Sequence, residues 1–188
     1  MGHEETVRKW DEKIEEIKKL EYSIENINIS QINNENHKLM HEIIDLQNNQ
    51  NDIDFLIKKI ALNCILAKTN NYSSHWGDDK FDLNNRYLCS FPVILKNATK
   101  EIKEKTIMNK YIEFVILNNR ELIINKNKNY GSSWSIMRPI GITDIIHVKI
   151  HRIDSLISGE KNNFESITDS FEDILNYCVF LLIMMEVK

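Results

Sequence analysis

Apolar residues recur every three or four positions through most of this chain, which is the spacing that places them on one face of an α-helix. The pattern predicts helices over residues 4–27, residues 33–67 with a break in the polar QNNQND segment, residues 98–125, residues 143–157, and from Ser166 to the C-terminus. Residues 69–92 show no such period, and no stretch alternates long enough to indicate a strand. We therefore expect an all-α protein, a helical bundle with an N-terminal helical arm.

The same pattern suggests three parts. Residues 1–67 form the arm or helical hairpin, residues 68–106 an irregular linker with a candidate decayed repeat, and residues 107–188 a C-terminal helical domain. The arm fits either a coiled coil that dimerises or an amphipathic element that packs on the domain. Drift of the heptads favours packing on the domain.

The candidate repeat is a short internal echo. CILAKTNNYSSHW at 64–76 parallels LIINKNKNYGSSW at 122–134, with Lys, Tyr, Ser and Trp in corresponding places. A decayed duplication and chance similarity in an Asn-rich chain explain it about equally well.

Charge and cysteine content narrow the class of protein. The net charge of −4 gives no strong electrostatic footprint for duplex nucleic acid. The three cysteines form no CxxC pair and indicate reduced thiols in a cytoplasmic protein. The most apolar run, residues 177–185, is much shorter than the ~20 residues of a membrane span, and the N-terminus does not resemble a signal peptide. We expect no membrane association.

Polar residues on the last two predicted helices are candidates for chemistry. Asp169, Asp173 and Asn176 share one stripe of an otherwise apolar helix, and Asp144 opens the preceding helix. Carboxylates facing one another from antiparallel helices offer the hard oxygen ligands that Mg²⁺ or Mn²⁺ takes. The pattern thus predicts a metal site of Asp144, Asp169 and Asp173, with Mg²⁺ or Mn²⁺ as cofactor.

Basic residues beside this stripe extend the hypothesis to phosphate. Lys149 and Arg152 follow Asp144 on the same helix and suit phosphate oxygens, Arg in a bidentate way. Structural explanations compete with these assignments. Ser166 and Asp169 fit a capping box, Asp144 fits a helix start favoured by the macrodipole, and the two basic residues fit ion pairs with the acidic stripe.

The segment between the predicted helices is unusually rich in special residues. Tyr130, Gly131 and Trp134 come in a short turn and Arg138 precedes a proline. The rings are either walls that stack a nucleobase or plugs for the end of the bundle. The extended conformation imposed before proline makes Arg138 a candidate phosphate contact.

Other residues give no comparable signal. His147, His151 and Cys178 show no convincing spacing for zinc ligands. No glycine-rich phosphate loop is present in the sequence.

Three segments taken together resemble a known family. The motifs are Lys-x-Asn-Tyr-Gly-Ser-Ser-Trp ending at Trp134, Thr-Asp followed by Lys149 and Arg152, and NFESITDSFEDILNYCVF at 163–180. In this order they resemble the family called nucleotide modification associated domain one, over about residues 107–186. Asn129 stands where the family usually has Asp.

The resemblance implies an all-α domain that handles nucleotides, in phage or bacterial systems with modified nucleotides. Its layout is similar to the all-α nucleoside triphosphate pyrophosphohydrolases of the MazG and dimeric dUTPase type. It implies metal ligands at Asp144, Asp169 and Asp173, and nucleotide contacts through Tyr130, Gly131, Trp134 and Asn176. Arg138 joins these contacts only because of its position before proline. Glu165, Lys149 and Arg152 become the catalytic candidates.

We therefore predict a metal-dependent nucleotide-binding protein that hydrolyses a nucleoside triphosphate to monophosphate and pyrophosphate. The alternative is a non-catalytic module that senses a nucleotide or assembles within a DNA-modification or phage-defence system. The amphipathic arm and the likeness to dimeric hydrolases predict a homodimer or higher homo-oligomer.

Overall fold

The helical periods of the sequence are confirmed by a computed structural model, in which the described ranges contain helices and no strand. The structure describes residues 2–22, 28–46, 50–75, 100–130, 133–159 and 166–186. The helices are α1 (His3–Lys18), α2 (Ile29–Asp45), α3 (Gln50–His75), α4 (Lys100–Tyr130), α5 (Pro139–Ile157) and α6 (Ile167–Glu186), with a short 3₁₀ helix (Ser133–Ile136) before α5.

Several helix ends differ from the prediction. α3 continues to His75, and α4 continues to Tyr130 rather than ending near Asn125. α5 begins at Pro139, not at Thr143, because proline fits the first helical position, where no backbone N–H is needed. The irregular segment predicted at 69–92 is thus helical up to His75. The segment 76–99 lies outside the described residues.

α6 is the central helix of the bundle. It packs against α1, α3, α4 and α5, and most of its positions are buried, from Ser170 and Phe171 to Ile183. This burial explains its largely apolar composition. Within the described ranges, no helix is both long enough and apolar enough to cross a membrane.

The N-terminal arm packs on the rest of the same chain. Trp10, Ile14 and Ile17 of α1 are buried in the same apolar core as residues of α3 to α6. α1 packs against α4, where the Arg120 guanidinium donates Nε to Asp11 Oδ1 at 2.8 Å and Nη2 to Asp11 Oδ2 at 3.0 Å. α2 packs between α3 and α5. The apolar stripe of the arm is therefore covered within the chain.

One charged side chain lies inside this bundle. Lys68 of α3 is only 1% exposed, and its Nζ donates to Glu172 Oε2 of α6 at 2.6 Å and to Asn119 Oδ1 of α4 at 2.7 Å. A buried ammonium is tolerated only where such partners replace the lost water. The three groups therefore connect α3, α4 and α6 through one buried polar contact.

This contact gives a stability prediction. Glu172→Gln removes the charge that balances the buried ammonium, so we expect a loss of about 3 kcal/mol in the free energy of unfolding. In a Lys68→Met background the same change should cost far less, because no buried charge remains to be balanced. Urea unfolding of the four proteins of this cycle measures the difference. An equal loss in the free energy of unfolding in both backgrounds would show that Lys68 and Glu172 are not coupled.

Candidate functional site

Asp173 lies between two lysines from neighbouring helices. Lys149 Nζ of α5 is 2.9 Å from Asp173 Oδ2, and Lys126 Nζ of α4 is 3.1 Å from Asp173 Oδ1. The side chain of Asp173 is 26% exposed, so the group is only partly screened by water. The predicted pairing of Lys149 with the acidic stripe is thus present, and Lys126 is a partner that the sequence did not indicate.

The lysines determine the charge state of this carboxylate. Burial acts to raise the pKa of Asp173, but the hydrogen bonds and charges of Lys149 and Lys126 outweigh it and hold the pKa below its usual range. Asp173 is therefore ionised at neutral pH. Each of its two oxygens faces an ammonium group.

Asp169 caps the start of α6. Its Oδ2 accepts from the backbone N–H of Ser166 at 3.0 Å, while its own N–H donates to Ser166 Oγ at 3.1 Å. This reciprocal pair is a capping box with aspartate in the place of the more usual glutamate. The structural explanation offered by the sequence for Asp169 is therefore present.

Asp144 occupies a different position from the one predicted. Because α5 begins at Pro139, Asp144 lies in the second turn rather than at the helix start, and it is exposed. The macrodipole explanation for this residue was accordingly wrong, since that effect is confined to the first turn.

The three predicted metal ligands do not gather in the described part of the chain. There, the residues whose ligand atoms lie close enough to share an ion are three histidines rather than Asp144, Asp169 and Asp173. Asp173 would have to exchange two ammonium partners for a cation. Glu165, the fourth carboxylate, lies outside the described residues. The donor set seen here does not fit a preformed Mg²⁺ site.

Two polar side chains near Asp173 have unmet hydrogen bonds. Arg152, one turn after Lys149 on α5, has a buried Nη2 with no acceptor among the described residues. Asn176, one turn after Asp173 on α6, is 4% exposed, and both ends of its amide lack a partner within the same ranges. A buried polar group without a partner costs about 1–3 kcal/mol, so each indicates water or a ligand.

Trp134 packs flat against α6. Its ring stacks on Phe180 with centroids 4.6 Å apart and 3° between planes, and the residue is 6% exposed. Trp134 therefore belongs to the core, as the structural alternative proposed. Arg138 is exposed and stands at the N-cap of α5 without a side-chain capping bond. Gly131 and the side chain of Tyr130 lie outside the described part of the structure.

A cluster of histidines lies on another part of the surface, between α2 and α5. His37 Nε2 donates to Asp154 Oδ2 at 2.6 Å, and His147 Nε2 lies 3.2 Å from His151 Nε2. One ligand atom from each of the three histidines falls within 4.8 Å of the others. His147 and His151 are not predicted as metal ligands from the sequence. Their i, i+4 separation was the missed signal, because it puts both rings on one helical face.

The environment of His147 favours its neutral imidazole. Burial lowers the pKa of His147 first, and the nearby rings of His151, His41 and His37 lower it further, against a smaller opposing effect of Asp144. His147 is therefore uncharged at neutral pH.

The pairing of Asp173 predicts a pH effect on stability. A carboxylate whose folded-state pKa is depressed stabilises the protein above the unfolded-state pKa and loses that contribution as pH falls through the folded value. We expect Asp173→Asn to be less stable than wild type at neutral pH. The difference should narrow below about pH 4. Urea unfolding across pH measures it, and a difference that stays constant to pH 2 would contradict the ion pairs.

One comparison with known proteins gives a match in the part of the chain that contains Asp173. Residues 126–185, about a third of the chain, match the profile of a family described as nucleotide modification associated domain 1. A search of curated proteins and a search of solved structures gave no significant match. The likeness in layout to the pyrophosphohydrolases therefore stays a prediction. The matched segment extends from Lys126 to Met185 and contains Asp173 and both of its lysine partners, so the part of the chain that carries this site is similar to nucleotide modification associated domain 1.

Proposed function

We propose that this protein binds a nucleotide through its phosphates, on the face of α4, α5 and α6 that surrounds Asp173. The observation that carries the proposal is the charge balance at this face. Lys126, Lys149 and Arg152 carry three positive charges against the two negative charges of Asp173 and Asp169 on the same stripe of α6, and Arg152 Nη2 has no acceptor in the described ranges. This local positive excess occurs in a chain of net charge −4.

The lysines keep the capacity to bind phosphate while they contact Asp173. An ammonium group has three N–H donors, and the contact with Asp173 occupies one donor of each lysine. The Asp173 carboxylate holds the two ammonium groups at a fixed place, so that a phosphate meets donors already in position. Such preorganisation reduces the entropy lost on binding.

The remaining contacts extend along α6 from this phosphate position. Asn176, one turn away, has an amide donor and acceptor without a partner in the described part of the chain, and these suit a base or sugar directly or through water. Phe180, which stacks on Trp134, lies about 10 Å from Asp173 along the helix axis at 1.5 Å per residue. Tyr130 follows Lys126 by one turn of α4. In this proposal Trp134 supports the base-binding end from within the core.

In this proposal, Mg²⁺ binds only together with the nucleotide. Mg²⁺ commonly binds through substrate phosphates and one or two carboxylates. Asp144 is about 140° from Lys149 around α5 and therefore lies on the histidine side of the helix, not beside these phosphates. When bound, Mg²⁺ would neutralise phosphate charge. We assign no reaction step to it.

Hydrolysis and assembly are further proposals. A nucleotide panel with Mg²⁺ or Mn²⁺, read by pyrophosphate release and by thermal shift, separates the two functions. Turnover selects the pyrophosphohydrolase, and a shift without turnover selects the sensing or assembly module. Light scattering tests the proposed homodimer.

Removal of one lysine tests the phosphate site. We expect Lys149→Gln to weaken nucleoside triphosphate binding roughly 10- to 100-fold, the equivalent of one charge-assisted hydrogen bond. Lys110→Gln is the matched control, because Lys110 is an exposed lysine of α4 away from Asp173. Isothermal titration measures both variants. Equal affinity in the two would exclude a phosphate contact at Lys149.

Asp173→Asn separates phosphate binding by lysine from binding through a metal. Without divalent cations, we expect the variant to retain triphosphate binding, because removal of the competing negative charge offsets the less fixed positions of the two lysines. The same titration in Mg²⁺ serves as the comparison. Loss of the cation-free binding would show that Asp173 is needed for more than holding the lysines, and would contradict this arrangement.

A further inference from the structure

α5 presents a second polar face, directed away from the nucleotide-binding face. Residues 147, 151 and 154 fall within about 60° of one another around the helix, whereas residue 149 lies roughly 160° from residues 147 and 151. His147, His151 and Asp154 accordingly face α2, while Lys149 faces α6. A ligand at the histidine face is therefore independent of the proposed nucleotide site.

α2 contributes the matching side chains. Its own i, i+4 pair, His37 and His41, faces the pair on α5. The ring of His37 is 4.6 Å from that of His151, and the ring of His41 is 5.8 Å from that of His147, centroid to centroid. Two helices that each present a histidine pair across one interface provide several imidazole nitrogens without any change of fold.

We propose that His37, His147 and His151 form a site for a transition-metal ion of the Zn²⁺ type. Their ligand atoms already lie within 4.8 Å of one another, and the two Nε2 atoms of His147 and His151 are 3.2 Å apart. Two imidazole nitrogens bound to one tetrahedral Zn²⁺ are separated by about 3.3 Å, given Zn–N bonds of about 2.0–2.1 Å. One pair thus has the required spacing, and small side-chain rotations complete the set.

Asp154 lies beside two of the three histidines, because its Oδ2 is hydrogen-bonded to His37 and is 4.0 Å from Nδ1 of His151. It accepts from His37 Nε2 at 2.6 Å and from Asn33 Nδ2 at 2.6 Å, and Asn33 also donates to the carbonyl of Ile150 at 3.1 Å. A carboxylate bonded to one imidazole nitrogen fixes the ring and leaves the lone pair on the other nitrogen, as it does behind metal-binding histidines generally. The orientation of His37 is therefore set before any ion arrives.

The type of ligand atom determines which ion the histidine site would bind. Imidazole nitrogens favour Zn²⁺, Cu²⁺ and Ni²⁺, whereas Mg²⁺ requires oxygen ligands. His151 is exposed and the other two histidines are half-buried, so the ion would remain open to solvent. Three protein ligands with an open fourth position are the arrangement of exchangeable and catalytic zinc ions rather than of closed structural ones. The ion would also join α2 to α5.

The test is Zn²⁺ titration of chelator-treated full-length protein against a competing chromogenic chelator. We expect one Zn²⁺ per chain in wild type and a loss of affinity of at least 100-fold in the double variant His37→Gln/His151→Gln, which removes one ligand from each helix. Asp154→Asn should weaken binding about 10- to 100-fold, the range for a residue that orients a ligand. Substitution of Co²⁺ for Zn²⁺ should give visible absorption in wild type and none in the double variant.

His3→Gln is the matched control, because His3 is an exposed histidine at the start of α1, away from the cluster. It should bind Zn²⁺ like wild type, and Mg²⁺ should not compete. Thermal unfolding in the absence of metal checks that every variant is folded. If the double variant does not fold, exposed His151→Gln alone carries the test. Wild-type affinity in the folded cluster variants, or an equal loss in His3→Gln, would overturn the site.

Discussion

The burial of α6 imposes the constraint on which the rest of the structure depends. Its apolar residues bind the bundle together, yet the same helix carries Glu172 and Asp173 in adjacent positions. A carboxylate that is partly removed from water needs a nearby positive charge. The neighbouring helices must therefore place cations beside Glu172 and Asp173. Lys68 from α3, Lys126 from α4 and Lys149 from α5 do so. The burial of α6 therefore requires lysines at these three positions.

The same constraint involves the two similar segments of the sequence, residues 64–76 and 122–134. When residues 64–76 are placed beside 122–134, Lys68 corresponds to Lys126, and each pairs with one of the two adjacent acidic residues of α6. The environments nevertheless differ. Lys68 is 1% exposed, whereas the side chain of Lys126 is 48% exposed. The buried lysine is committed to stability, and the exposed one remains accessible to a ligand.

α5 separates the two proposed sites because its polar residues lie on opposite faces. One face meets α6 and carries Lys149 and Arg152, beside Asn176, whose amide has no partner among the described residues. The other meets α2 and gathers His147 and His151 with His37. The proposed phosphate site and the proposed transition-metal site are therefore separated by the width of a single helix. An ion bound by the histidines would act on the packing of α2 rather than on the phosphates.

The sequence alone determined what depends on near neighbours: the helices, because burial imposes their period, and the Ser166–Asp169 cap, because its groups are three residues apart. It did not determine how far α3 and α4 extend, because tertiary packing stabilises polar turns that propensity alone would end. Nor did it identify Lys126 as a partner of Asp173, since the two are 47 residues apart, or the histidine cluster, since His37 and Asp154 are 117 residues apart. A periodic pattern shows which residues share the face of a helix. Only the packing of the helices decides what that face meets.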